Sequence, residues 1–209
     1  MNNPSTTELA PTRPAISERE EICFDLESLK QCWKTELTAN KGGATHRTFL
    51  DNAFSNLLEK SFEKQGKLLR PMLTFWAARL LSKSETPTQC AAKKRLASAV
   101  EVLHVASLIH DDIADNSEER RGDACAHVAF GIGPSLNFAS WLYFKAIAHL
   151  RCPHLMNLAN ETLIECHLGQ GLDIQYARTL ICLSEEDDLE ALYKEVAIRK
   201  TARLFQLST

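Results

Sequence analysis

The chain has no uninterrupted run of roughly 18 apolar residues, which removes a membrane-spanning helix from consideration. Its N-terminus has neither a basic leader nor an apolar core, so secretion is not expected and the cytoplasm is the expected compartment. Paired cysteines are missing too. The seven present, at positions 23, 32, 90, 125, 152, 166 and 182, are odd in number and include no Cys-x-x-Cys. Cys166-His167 and Cys152-Pro153-His154 lack the spacing of a zinc site, which leaves free thiols in a reducing compartment. There is no large excess of charge: a formal −3 over 209 residues gives no reason to expect nucleic acid, so any anion site must be local. Gly131-Ile132-Gly133 has no third glycine, no strand before it and no Lys-Ser/Thr after it, which excludes a glycine-rich phosphate loop. Polar and apolar residues never alternate for long, and no Asn-Gly or Asp-Gly occurs. The expected class is all-α.

What is present is helical periodicity. Residues 1–17 carry Asn, Ser, Thr and three prolines with few large apolar side chains, and are expected to be a disordered tail ahead of one helical domain over 18–209. Ile22, Leu26, Leu29, Trp33 and Leu37 then mark an amphipathic helix closing near Lys41-Gly42-Gly43. A second helix spans about Thr45 to Phe62. Gly66-Lys67-Leu68-Leu69-Arg70-Pro71 precedes a third apolar helix to Leu81, with Pro71 suited to its first turn and Gly66 relaxing the preceding backbone. A central helix begins near Thr88. After it, Asn116–Gly133 reads as a polar loop or broken helix, followed by helices over Ser135–Leu150 and Pro153–Ile174. Gly169-Gln170-Gly171 reads as a kink or helix end. Ser184-Glu185-Glu186-Asp187-Asp188 is a helix start with acids in its first turn rather than a metal site, and that helix continues through Lys200 to Phe205.

Chemistry concentrates at the end of the central helix. A helix turns about 100° per residue, so His104, Asp111 and Asp115 fall on one stripe. Asp111 and Asp115, with Asp112 beside them, stand one turn apart, and two carboxylates about 5 Å apart repel by roughly 3 kcal/mol at an effective dielectric of about 20. The C-terminal end of a helix is also the end at which its dipole disfavours negative charge. Stability does not explain such a cluster. Mg²⁺, which takes oxygen ligands and shares them with substrate phosphates, turns the repulsion into a site, and Arg120 and Arg121 supply charge opposite to phosphate.

The ordered run His110-Asp111-Asp112-Ile113-Ala114-Asp115, Arg120-Arg121-Gly122 and His127-Val128-Ala129-Phe130-Gly131 resembles the first aspartate-rich motif of the trans-isoprenyl diphosphate synthases, the polyprenyl synthetases. Gly66-Lys67-x-x-Arg70-Pro71, Gly169-Gln170-Gly171-Leu172-Asp173 and Lys200-Thr201-Ala202-x-Leu204-Phe205 resemble other signatures of that family. The resemblance implies an isoprenoid synthase-type helical bundle and a Mg²⁺-dependent prenyltransferase. By it, Asp111 and Asp115 are the metal ligands with Asp112 in support. Lys67, Arg70, His104 and Arg121 hold isopentenyl diphosphate, while Arg120, Lys200 and Thr201 hold the allylic diphosphate. Gln170 and Asp173 face the cavity behind them. Ala106 and Ser107, small residues just before the aspartates, imply an open pocket floor and a longer polyprenyl product, with Leu103 a turn lower.

Two departures from the family pattern stand out. Ala139-Ser140-Trp141-Leu142 replaces the usual Gly-Asp-Tyr/Phe-Leu, and the sequence stops at Thr209, before the family's second aspartate-rich motif. The resemblance therefore covers the N-terminal two thirds of such a protein, and little turnover is expected of these residues alone. Three readings follow: a prenyltransferase recorded in part, a non-catalytic or regulatory subunit of a heteromeric synthase, and a class I terpene cyclase, the last disfavoured by Lys67, Arg70, His104 and Arg121. The resemblance also implies a homodimer, or a heteromer with a full-length synthase.

Overall fold

The computed structural model describes residues 17–39, 51–81, 84–179 and 189–209. The expected tail over residues 1–16, the helix close at Lys41-Gly42-Gly43, the start of the second helix at residues 45–50 and the acidic helix start Ser184–Asp188 lie outside the described residues.

Helix α1 (Glu18–Thr38) opens on a capping box: the Ser17 hydroxyl accepts from the Glu20 backbone N–H while the Glu20 carboxylate accepts from that of Ser17. Ser17 thus belongs to the helix entry, and Ile22, Leu26, Leu29 and Trp33 form its buried face. A π-helical turn (Asp51–Ser55) runs into α2 (Asn56–Glu63), which buries Leu57 and Leu58. In α3 (Leu69–Leu81), Pro71 sits in the first turn, where its missing N–H costs no intrahelical bond. The central helix α4 (Pro87–Ala114) has a second capping box, Thr86 with Gln89, and a proline at its first position.

A short antiparallel hairpin follows, β1 (Glu119–Arg120) against β2 (Asp123–Ala124). It corrects the expectation of a loop or broken helix without strands. Its turn is Arg121-Gly122, both at positive φ (56° and 80°), so an arginine occupies a left-handed position that Asn or Asp usually fills, and the sequence carries no hairpin signal. Next come α5 (Ala126–Phe130) and α6 (Ile132–Leu150), parted by Gly131 at φ 90°. Helix α7 (Pro153–Thr179) runs unbroken through Gly169-Gln170-Gly171, where a kink or end was expected. The last descending segment is α8 (Leu189–Val196), a π-helical stretch (Ala197–Ala202) and α9 (Arg203–Gln206).

Helix α4 is the axis of the bundle. It packs most extensively on α6, then on α3, with Val100, Val102, Leu103 and Ala106 fully buried beside Phe138, Ala139, Leu142 and Ala146. Each fully buried Val, Leu or Phe contributes about 1.5–3 kcal/mol. Trp141, at one of the positions departing from the family pattern, is part of this packing: its ring lies 5.6 Å from Trp33 and 5.3 Å from Phe54, tying α6 to α1 and to the π-helical turn. No helix among the described residues is long and apolar enough to cross a membrane.

Candidate active site

Because α4 is buried on its packed face from Ala97 to Ile109, its C-terminal turn carries Asp111, Asp112 and Asp115 on a fixed support. The three carboxylates diverge. Asp112 is only 4% exposed, and Arg120 on β1 holds it with Nε 2.8 Å from Oδ1 and 2.9 Å from Oδ2, and Nη2 2.5 Å from Oδ1. That corrects two expectations at once. Asp112 has both oxygens engaged by a guanidinium fork and is not free to support a cation. Arg120 is turned onto Asp112 rather than outward to a diphosphate. The hairpin is the physical reason: it folds Arg120 back over the helix that precedes it.

Asp111 and Asp115 remain unclamped. Asp115 caps α4, its backbone N–H donating to the Asp111 carbonyl at 2.8 Å, and is exposed. Burial raises the Asp111 pKa; Lys200 opposes the rise, and the Asp115 charge adds to it. Lys200 stands 3.8 Å from Asp111 Oδ1 and 2.5 Å from Asp173 Oδ2. Burial weighs against its ammonium, but the Asp173 hydrogen bond and the Asp111 and Asp115 charges raise its pKa overall.

Lys200 arrives there because its segment is π-helical. That segment packs on α7 at Gly169, where a Cβ would stand 2.5 Å from the Lys200 backbone nitrogen. Beside it, Gln170 has its side-chain nitrogen and oxygen both buried without a hydrogen-bond partner. Asp111, Gln170 and Lys200 line a cavity of about 370 Å³ with Ser107, His110, Ile113, Leu136, Tyr143, Cys166, His167 and Ile174 among the other walls.

Ala106 is fully buried in the core, and Tyr143 from α6 and His167 from α7 join Ser107 in the wall of that cavity. Tyr143 stacks on His110 with centroids 5.3 Å apart, and His167 meets Tyr143 edge-on at 5.4 Å. Neither was singled out from the sequence. Tyr143 lies on an apolar helix with no motif around it, and His167 stands just outside the Gly169-Gln170-Gly171-Leu172-Asp173 run.

Arg70 and Arg121 gather around His104, two turns back from Asp111 along the same stripe of α4. Arg70 lies over the Phe205 ring at 4.2 Å, with its Nε buried and unpartnered, and burial lowers its pKa. Arg121 donates to the Lys64 carbonyl at 2.7 Å and packs so close to Gly66 that a Cβ there would meet its Nη2 at 2.6 Å. Gly66 therefore makes room for Arg121 rather than relaxing the backbone; the positive φ of this stretch falls at Leu68. His104 is pushed down to about 3 by burial and by the charges of Arg70, Arg121 and Arg120, so its ring is neutral at ordinary pH. Glu101, one turn earlier and also not singled out from the sequence, is buried with Arg70 and Arg121 as its charged neighbours. Lys67 and Thr201 are exposed.

Among the described residues no three His, Cys, Asp or Glu side chains come together as a ready cation cage. The donor set suits a hard divalent cation all the same: two unclamped carboxylates on one helix face, one of them raised by the other's charge, as in sites that complete their coordination with phosphate oxygens and water.

Residues 51–209 match the family model described as polyprenyl synthetase. The chain is 41% identical over 112 residues to geranylgeranyl pyrophosphate synthase 1 of Zymoseptoria tritici, a match covering 52% of this chain and 31% of that protein. It is 40% identical over 119 residues to a geranylgeranyl pyrophosphate synthase of Eremothecium gossypii, covering 52% of this chain and 36% of the relative. These matches span about a third of the relatives' length. Among solved structures, an isoprenoid synthase family member from Thermotoga neapolitana superposes with a TM-score of 0.68 at 25% identity, over 91% of this chain and 66% of that one. T. brucei farnesyl diphosphate synthase superposes with a TM-score of 0.72 at 18% identity, over 92% of this chain and 60% of its own, and so shares the fold. A match over three quarters of its residues, on a helical bundle that carries the aspartates on its central helix, makes this chain a member of the polyprenyl synthetase family.

Proposed function

We propose that this chain carries the substrate-binding part of a prenyltransferase that joins isopentenyl diphosphate to an allylic diphosphate. The observation that carries the reading is the spacing of charged groups along α4. Asp111, Lys200 and the orphaned Gln170 amide face a cavity with an apolar, aromatic-lined end, while Arg70 and Arg121 form a second, cationic cluster around a neutral His104, two turns back on the same helix. Two diphosphates need two such places. A cyclase needs one, so the second pocket favours chain extension.

Asp111 and Asp115 are the residues that would hold Mg²⁺, together with phosphate oxygens of the allylic substrate. Bound there, the ion supplies Lewis acidity to a departing diphosphate. Lys200 adds a positioned positive charge for the same leaving group, held in place by Asp173. Arg120 fixes the end of α4 through Asp112 and so orients the two outer aspartates. Arg70, Arg121 and Lys67 bind the second diphosphate, and His104 donates a hydrogen bond as a neutral ring. The prenyl tail lies toward Ser107, Tyr143 and His167. With these two rings beside Ser107 in the wall, the product is read as of the geranylgeranyl size named in the relatives rather than longer.

Self-association through α6 and α7 is part of the reading, supported by Phe144, Ile164 and Leu168, which are 72%, 60% and 52% exposed along one groove. Sedimentation velocity tests it: a dimer that Ile164→Asp disperses supports the reading, and a monomer at all concentrations contradicts it. The substrate assignment is tested by equilibrium binding of isopentenyl diphosphate. Arg121→Met is expected to weaken it by about tenfold or more without changing the melting temperature. Equal affinity in both proteins would overturn the assignment.

A further inference from the structure

Glu101 has no place in the chemistry above, yet it is one of the most enclosed charged side chains in the chain, 6% exposed, three residues before His104 on the same helix. Its charged neighbours are Arg70, from α3, and Arg121, from the hairpin turn. It makes no hydrogen bond to either guanidinium. Arg121 donates instead to the Lys64 carbonyl, and Arg70 is held by the Phe205 ring. Glu101 therefore does not aim the arginines as Asp173 aims Lys200. What it supplies is negative charge at the back of a cationic pocket, and that pocket has no other carboxylate among the neighbours that set the charge state of Arg70 or His104.

We infer that Glu101 is an internal counter-ion that lowers the affinity of the Arg70–His104–Arg121 pocket for isopentenyl diphosphate, so that the pocket fills and empties within a catalytic cycle rather than trapping the ligand. The inference rests on the assignment of this pocket to that diphosphate. The physics is direct. A diphosphate between two guanidiniums is attracted by both, and a buried carboxylate beside them repels it through a medium that screens far less than water. Burial raises the Glu101 pKa and the two arginines only partly oppose the rise, so a dianionic ligand entering beside it shifts Glu101 further toward its protonated form.

The test compares Glu101→Gln, which keeps the shape and removes the charge, with Glu101→Asp, which keeps the charge and shortens the chain. Dissociation constants for isopentenyl diphosphate and for a short allylic diphosphate are measured on the same preparations. The Gln variant is expected to bind isopentenyl diphosphate about three- to tenfold more tightly, with allylic diphosphate affinity unchanged, and the Asp variant to stay near the parent protein. Should the Gln variant fail to fold, Glu101→Met takes its place with the same expected tightening. Weaker or unchanged binding on loss of the charge overturns the counter-ion role. If the parent protein does not bind isopentenyl diphosphate, or binds it undiminished with Arg121→Met, the pocket assignment fails first and the inference with it.

Discussion

On the proposed function, Tyr143 is the side chain that limits the room for a prenyl tail. It is half-buried, stacked on His110, and held un-ionised because burial raises its pKa. Removing the ring in Tyr143→Ala opens the cavity toward the groove behind it, so affinity for geranylgeranyl diphosphate rises relative to farnesyl diphosphate, read by equilibrium binding of both. An unchanged ratio places the limit elsewhere. His104 gives a second residue-scale expectation. Its folded-state value is about 3 against an ordinary 6.5, so above pH 6.5 the ring is neutral in both states and its titration is neutral for stability. Below 6.5 the unfolded chain takes up a proton that the folded chain refuses, and stability falls as the pH drops toward 3. His149, pushed down to about 4 by burial, acts in the same direction. Melting temperatures at pH 7 and pH 5 should therefore drop with acidity, and less steeply in His104→Asn. Parallel slopes for the two proteins would mean that His104 is free to protonate in the fold.

At the scale of elements, the contact between α7 and the π-helical stretch sets the position of Lys200. Gly169→Ala puts a methyl group 2.5 Å from the Lys200 backbone nitrogen and 2.7 Å from the Arg199 Cβ, and backbone does not yield as a side-chain tip does. The expected cost is about 1–3 kcal/mol of stability, with loss of allylic diphosphate affinity greater than that of isopentenyl diphosphate. Melting and the two binding constants read it. The start of the central helix, expected near Thr88, falls at Pro87, where the Thr86–Gln89 capping box fixes it. The π-helical stretch was not legible in the sequence, since it is made by the absence of a side chain on another helix. Nor was the hairpin: two residues per strand are too few to alternate, and Arg121 takes a turn position for which its type gives no signal. The Arg120–Asp112 pair followed from that hairpin and was invisible for the same reason. Asp111, Asp115, Lys200 and Arg70 stand out in the sequence because they sit in ordered motifs. Glu101, Tyr143 and His167 were missed because only packing brings them to the site.

At the scale of the whole molecule, the bundle holds its charged groups at two levels along one central helix, and the helix is kept in place by the core it shares with α6. This makes binding separable from stability. Asp111 and Asp115 lie at the end of the core rather than in it, so replacing them should leave the fold intact. Calorimetric titration of the purified protein with farnesyl diphosphate, with Mg²⁺ present and then with the ion removed by chelator, is the most direct measurement of the central claim. The account predicts binding that requires Mg²⁺ and is lost in Asp111→Asn and Asp115→Asn while their melting temperatures stay within a few degrees of the parent. Binding indifferent to Mg²⁺, or retained by both variants, would contradict it.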